Sequence, residues 1–144
     1  MTQNPSAPTD DNPSTDGALA LRAMSRAGDA IVTVDQHGVI TSWNVAAAAL
    51  LGHSADEAVG QTLALIVPPQ FRDAHVAAFN AAMASGHLQG GGRPARVEVV
   101  TSEGRPLVLA MSLGTLTNAD SATVVGAVAV LRAAELGLLP FVGD

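Results

Sequence analysis

The chain of 144 residues contains no cysteine and no tyrosine, and it has a single tryptophan. Without cysteine it can form no disulfide, offer no thiolate to a metal and supply no cysteine nucleophile. Its first residues have neither the basic start nor the apolar run of a secretory signal, and no stretch reaches the roughly 18 apolar residues of a membrane span. These absences lead us to expect a cytoplasmic protein that does not cross a membrane.

Basic residues are also scarce: all seven are arginine, against 13 acidic residues, for a net charge of −6. The arginines are spread along the chain instead of forming a cluster, which argues against a surface that binds nucleic-acid phosphates. Aromatic residues make up only 3% of the chain, too few for a platform on which bases stack. We therefore expect no direct nucleic-acid partner.

The N-terminal third divides into a tail, a helix and two strands. Residues 1–17 are polar and rich in proline, without apolar periodicity, and are predicted to be a disordered tail. Residues 18–27 carry an apolar stripe at helical spacing, which predicts a helix there. Residues 30–34 and 39–43, rich in Ile, Val and Thr, predict two strands joined by a tight turn that contains Gly38.

Helices are predicted in the middle of the chain from their capping residues. Asn44 is placed to cap a helix over 45–51. Ser54 and Glu57 have the spacing of a capping box for a second, short helix. A longer helix is predicted over residues 70–84, because a proline precedes it and an apolar stripe recurs along it.

Three strands are predicted in the last third of the chain, at residues 95–101, 106–115 and 123–131. Residues 133–144 are predicted to be a short C-terminal extension. Two strands, a group of helices and three more strands fit one economical arrangement. The predicted fold class is α+β: a five-stranded antiparallel sheet with helices packed on one face.

Two parts of the chain resemble the PAS family. The first is Asp29–Gly52 together with Ser54–Gly60, which follow the family's strand–turn–strand–helix opening, with Trp and Asn at the helix start. The second runs from Ile66–His75 through Gly86 to Val97–Gly104. Each piece alone is weakly specific, but their order and spacing together are specific.

The resemblance implies a PAS fold over residues 18–132, with a helical cap at its N-terminal end. It further implies a non-enzymatic sensory module, in signal transduction or regulation of transcription, that holds a cofactor or small ligand between the sheet and the long helix. Light-sensing PAS domains that bond a flavin or chromophore to cysteine are excluded, since the chain has none. Two alternatives stay open: a ligand-free protein-interaction domain and, less favoured, a small α+β enzyme with a pocket.

His75 is the main candidate for a site residue. Phe71, His75 and Phe79 recur at helical spacing within 70–84, on the stripe predicted to face the sheet. A neutral imidazole in an apolar pocket is a ligand for haem iron. Haem-binding PAS oxygen sensors resemble this segment, including Arg72 three residues before the histidine, so haem b is a candidate cofactor with His75 as its metal ligand. The alternative is a histidine that only packs. The other histidines, in turns or loops, are not expected to bind iron: His37, His53 and His87.

The other predicted walls of the pocket come from the last strands: Leu109, Met111 and Val128 as apolar walls, with Gly126, Ala127 and Ala129 small enough to leave room for a ligand. Haem PAS sensors also present a polar side chain, usually arginine, from the strand after the loop. The matching position in this chain is Ala95, and a one-residue bulge would bring Arg96 into its place.

An apolar surface also predicts association with a protein partner. The helix over residues 18–27 carries an apolar stripe, and the strand segments 107–111 and 124–131 are apolar on both faces. We expect a homodimer, or a heterodimer with an effector protein, through these surfaces.

Overall fold

A computed structural model describes residues 13–87, 94–120 and 123–133 of the chain. The helices are α1 (Pro13–Arg26), α2 (Val45–Leu51), α3 (Ala55–Ala58) and α4 (Arg72–Ser85). The strands are β1 (Ala30–Asp35), β2 (Ile40–Trp43), β3 (Ala95–Val100), β4 (Pro106–Thr117) and β5 (Val124–Ala133). Two short 3₁₀ turns, Leu63–Leu65 and Pro69–Phe71, lead into α4.

The five strands form one antiparallel sheet in the order β2-β1-β5-β4-β3. The first and last strands of the chain therefore lie side by side in the sheet. Side chains alternate between the two faces of each strand. The predicted α+β fold with a five-stranded antiparallel sheet is confirmed.

One face of the sheet, which we call the inner face, carries the hydrophobic core. Val32 of β1, Leu109 of β4 and Leu131 of β5 are each no more than 2% exposed. Ala47 and Leu51 of α2 are fully buried against the same cluster. These contacts place the helical layer on the inner face and leave the opposite, outer face without a helix of the described core against it.

The side chain of Asn44 joins three elements at one point. Its Oδ1 accepts hydrogen bonds from the backbone N–H groups of Ala47 (2.9 Å) and Ile31 (2.9 Å). Its Nδ2 donates to the carbonyls of Met24 (2.8 Å) and Asp29 (2.9 Å). A buried amide that is fully hydrogen-bonded is held firmly in place. Asn44 thereby caps α2, as predicted, and also fastens the end of α1 to the start of β1.

Gly126 allows the first and last strands to come close together. It pairs with Asp35, and a β-carbon at this position would overlap the carbonyl oxygen of Val34. Because its φ does not lie in the left-handed region, the requirement is for space and not for backbone conformation.

Two differences separate the predicted elements from the observed ones at the ends of the fold. Helix α1 begins at Pro13 and not at residue 18, so residues 13–17 are helical where we predicted disorder. Proline suits the first helical position, where its missing N–H costs no hydrogen bond. At the other end, Ala133 completes β5 and does not begin an extension. The rest of the predicted tail, residues 1–12, and of the predicted extension, residues 134–144, lies outside the described residues.

Candidate ligand-binding cavity

A cavity of about 670 Å³ lies between α4 and the inner face of the sheet. Small side chains on both walls create it. Helix α4 contributes Ala74 and Ala78, and β5 contributes Ala127 and Ala129. A methyl group extends only a short way into the layer between helix and sheet. The residues around these alanines are larger, so the space opposite the alanines stays open. Ala127 and Ala129 line the cavity where we predicted them, whereas Gly126 does not line it, and their role in leaving room for a ligand stays a prediction.

His75 contributes a polar group to this apolar wall. Its ring is half-buried and stacks on Phe79, with ring centroids 6.5 Å apart and planes at 20°. Burial lowers the pKa of His75, because removal from water disfavours the charged imidazolium. No hydrogen bond joins its ring nitrogens to another of the described residues. A neutral imidazole, with one donor and one acceptor nitrogen, is therefore presented to the cavity.

Three other polar residues line the cavity, and all of them are exposed: Ser85, His87 and Glu98. The Ser85 hydroxyl is already used locally, since it accepts a hydrogen bond from the backbone N–H of His87 at 3.1 Å. Glu98 belongs to the edge strand β3, between the inward residues Val97 and Val99. Of the described residues that line the cavity, none is arginine or lysine.

Four of the predicted site residues come together at the cavity: Phe71, His75, Phe79 and Met111. Leu109 is 1% exposed in the core beside them and does not reach the cavity. The positions of Phe71, His75 and Phe79 agree with the prediction that one stripe of residues 70–84 faces the sheet. The binding role of these residues stays a prediction.

The predicted wall position of Val128 is wrong. Ala127 and Ala129 line the cavity, so Val128 between them lies on the outer face. The prediction failed because β5 is apolar at consecutive positions, and an unbroken apolar run does not reveal which residues face inward.

The predicted position of Arg96 is also wrong. Strands β3 and β4 pair without interruption from Ala95 opposite Met111 to Val100 opposite Pro106. No bulge turns Arg96 inward, and it lies exposed on the outer face opposite Ala110. An arginine from this position therefore does not reach the cavity.

Sequence reasoning missed one wall of the cavity, formed by the segment before α4. Leu63, Ile66, Val67 and Pro68 all line it. The apolar run that ends in two prolines was a usable signal, since a loop this apolar needs a surface to cover. Its irregular backbone gave no periodicity from which to infer a direction.

The remaining described histidines do not form a second site. His53 contacts Trp43 edge-on, with ring centroids 6.4 Å apart, and its Nε2 is buried without a hydrogen bond. His37 lies exposed in the β1–β2 turn. Within residues 13–87, 94–120 and 123–133, no group of three or more His, Cys, Asp or Glu could hold a metal ion. No helix in this part of the chain is long and apolar enough to span a membrane.

The described residues combine a five-stranded antiparallel sheet with a long helix over an apolar cavity. The PAS fold family matches residues 19–133, and the chain belongs to this family. No curated protein matches the chain significantly.

Solved PAS structures are similar to this chain in fold. A PAS domain from Colwellia psychrerythraea superposes with a TM-score of 0.68 at 20% identity, over 82% of this chain and 96% of that one. A PAS domain from a two-component sensor histidine kinase gives a TM-score of 0.65 at 13% identity, over 83% and 96%. The PAS domain of the Cronobacter turicensis quorum-sensing receptor RpfR, in complex with C12:0, gives 0.58 at 18% identity, over 77% and 98%.

Proposed function

We propose that this protein is a sensory signal-transduction module that binds a small apolar ligand in the cavity beneath α4 and passes on its state by protein–protein contact. The cavity itself carries the proposal. Its volume of about 670 Å³ lies within the range of roughly 300–1,000 Å³ for small-molecule sites, which are mostly apolar with a few polar groups. The described residues supply that combination, with His75 as the half-buried polar group.

The similar structures support the general role. One belongs to a sensor histidine kinase, and another holds C12:0, a small molecule with a long apolar chain. Activity as an enzyme is not part of the proposal, because Glu98 is the single carboxylate among the described residues that line the cavity, and no second acid or base of that kind lies beside it there. The cytoplasmic location and a role in regulation of transcription stay predictions.

A pair of neighbouring substitutions on β5 tests the proposal. Ala129→Leu adds volume inside the cavity, whereas Val128→Leu adds it on the outer face of the same strand. We expect the wild type and Val128→Leu to bind an apolar fluorescent dye such as N-phenylnaphthylamine. Ala129→Leu should bind it at least about tenfold more weakly, since a filled site loses the apolar contacts that drive binding.

Thermal unfolding of both variants shows whether either has lost its fold. Failure of the folded wild type to bind the dye or any other apolar small molecule would reject the proposal. Equal weakening by both substitutions would mean that binding occurs elsewhere than in the cavity.

Haem is a second candidate ligand, favoured by one observation: His75 presents a neutral nitrogen to an apolar cavity, as an axial ligand to iron does. The carboxylates of haem fit less well, since the described lining residues include no arginine or lysine. Bound haem would supply a metal centre for a diatomic gas, and His75 would hold the iron.

The haem candidate predicts that His75→Ala abolishes the Soret absorption band after incubation with haemin. The controls His37→Ala and His53→Ala should keep the band, because neither residue lines the cavity, whereas His87 does line it and is therefore not used as a control. A folded wild-type protein that takes up no haemin at stoichiometric concentration would eliminate this candidate.

We also propose that the module forms a homodimer through α1 and the outer face of the sheet, with an effector protein as the alternative partner. The exposed apolar residues favour this surface: Leu19 of α1 is 59% exposed, Val108 of β4 51% and Val125 of β5 39%. A partner that covers such side chains removes apolar surface from water, which favours association.

A further inference from the structure

We propose that the ligand of this cavity is an uncharged apolar molecule that carries one hydrogen-bonding group, such as an alcohol or a ketone, and that this group bonds to the ring of His75. This inference rests on the proposed ligand-binding function and adds the charge class of the ligand. It distinguishes an alcohol or ketone from a fatty-acid carboxylate of the same chain length.

The charge of the walls is the first argument. An anionic headgroup needs a cation or several N–H donors when it leaves water. Of the described residues that line the cavity, none is arginine or lysine. Arg96, which could have supplied the charge, lies on the outer face. A carboxylate bound in the cavity would therefore meet no cationic side chain among the described lining residues.

The free hydrogen-bonding capacity of His75 is the second argument. Its nitrogens have no hydrogen-bond partner among the described residues, while the stack on Phe79 holds the ring on the cavity wall. A neutral imidazole can both donate and accept, so it satisfies a hydroxyl or a carbonyl equally well. A ligand with one matching group therefore finds on the cavity wall a donor and an acceptor that no described residue occupies.

The lack of other shielded polar groups is the third argument. Of the described residues that line the cavity, the other polar ones are Ser85, His87 and Glu98, and all three are exposed. His75 is therefore the single half-buried polar side chain of that wall, which favours a ligand with one hydrogen-bonding group. The rest of the molecule must be hydrocarbon to benefit from these walls.

The test compares three ten-carbon probes by isothermal titration calorimetry at about pH 8, where His75 is neutral and decanoate is ionised. We expect decanol and decan-2-one to bind at least about tenfold more tightly than decanoate. Decanoate that binds as tightly as decanol, or more tightly, would overturn the inference and leave the proposed function intact. No binding by any of the three probes would count against both.

Two substitutions separate the hydrogen bond from the packing. His75→Phe keeps a flat ring against Phe79 and removes both nitrogens, and His75→Leu removes the ring as well. Each should weaken decanol binding by roughly three- to tenfold, the worth of one net hydrogen bond, whereas His37→Leu in the exposed turn should not. Unchanged decanol affinity in folded His75→Phe would overturn the assignment of His75.

Discussion

At the scale of single residues, His75 combines two properties that the sequence reveals unequally. Its inward direction follows from the helical period that it shares with Phe71 and Phe79, and the cavity lining confirms that direction. The absence of a hydrogen-bond partner depends on side chains that are distant along the chain and meet only in the fold. The helical spacing could therefore identify His75 as a candidate, but it could not show that its ring nitrogens have no hydrogen-bond partner among the described residues.

The lowered pKa of His75 predicts a pH dependence of stability. Between the lowered pKa in the folded state and the ordinary value of about 6.5, the unfolded chain binds more protons at this site than the folded protein. The contribution of His75 to the free energy of unfolding is therefore fully present above about pH 6.5, and it is lost as the pH falls through the lowered pKa of the folded state. His75→Phe removes this contribution and retains the ring stack.

Urea unfolding from about pH 8 to about pH 5 measures this effect. The free energy of unfolding should fall less steeply with decreasing pH in His75→Phe than in the wild type. His37→Phe, in an exposed turn, is the matched control and should follow the wild type. Identical pH profiles for the wild type and His75→Phe would show that this histidine does not govern the acid response.

The two misplaced residues, Val128 and Arg96, failed for a common physical reason. The face of the sheet to which a strand residue points changes when the register shifts by a single residue. In β5 the residues at both odd and even positions are apolar, so the pattern does not show which of them point inward. In β3 the predicted inward position of Arg96 required a bulge, and the pairing with β4 contains none. Register is fixed by the neighbouring strand, so it could not be inferred from these segments alone.

At the scale of elements, the residues that cap helices and form turns made most of the fold predictable. The helix cap at Asn44 and the capping box of Ser54 and Glu57 are present as predicted, and all five strands lie within a few residues of their predicted ranges. These signals are local, since each rests on hydrogen bonds within one turn. Helix α1 was predicted too short because its first turn is polar and carries no apolar stripe.

The close approach of β5 to β1 predicts a large effect from a small substitution. Gly126→Ala would place a methyl group against the Val34 carbonyl and separate two strands in the middle of the sheet. We expect a loss of about 1–3 kcal/mol in the free energy of unfolding, the usual cost of overpacking. Chemical denaturation gives this value.

Gly114→Ala is the matched control for Gly126→Ala. It lies in β4 of the same sheet, where an added β-carbon would be 3.4 Å from Val128 Cγ1, an ordinary contact that a side chain can relieve. It should cost clearly less than Gly126→Ala. Equal costs would indicate a general glycine effect and not a steric one at β1.

At the scale of the whole molecule, the outer face predicts a dimer that one charge can disrupt. Val108→Glu should weaken self-association at least about tenfold, because the carboxylate would be desolvated or repelled at the interface. Val76→Glu is the control: it changes a valine of similar exposure, 53% against 51%, on helix α4. Light scattering and sedimentation at high micromolar concentration report the mass.

A wild type that stays strictly monomeric at that concentration would contradict the homodimer and leave the effector protein as the remaining partner.

The order of strands and helices along the chain predicted a single five-stranded antiparallel sheet with helices on one face. It did not predict the order of the strands within the sheet, because that order depends on contacts between residues distant along the chain. The segments of β4 and β5 that are apolar at consecutive positions predict a covered outer face, and the identity of the partner stays a prediction.

Asn44 links α1 to the sheet near the end of the helix. Its Nδ2 donates to the carbonyl of Met24, in the last turn of α1, and to the carbonyl of Asp29, which precedes β1. Pro13 lies about 16 Å along the helix from Met24, at about 1.5 Å per residue. A tilt of about 10° at Met24 would therefore displace the far end of α1 by about 3 Å.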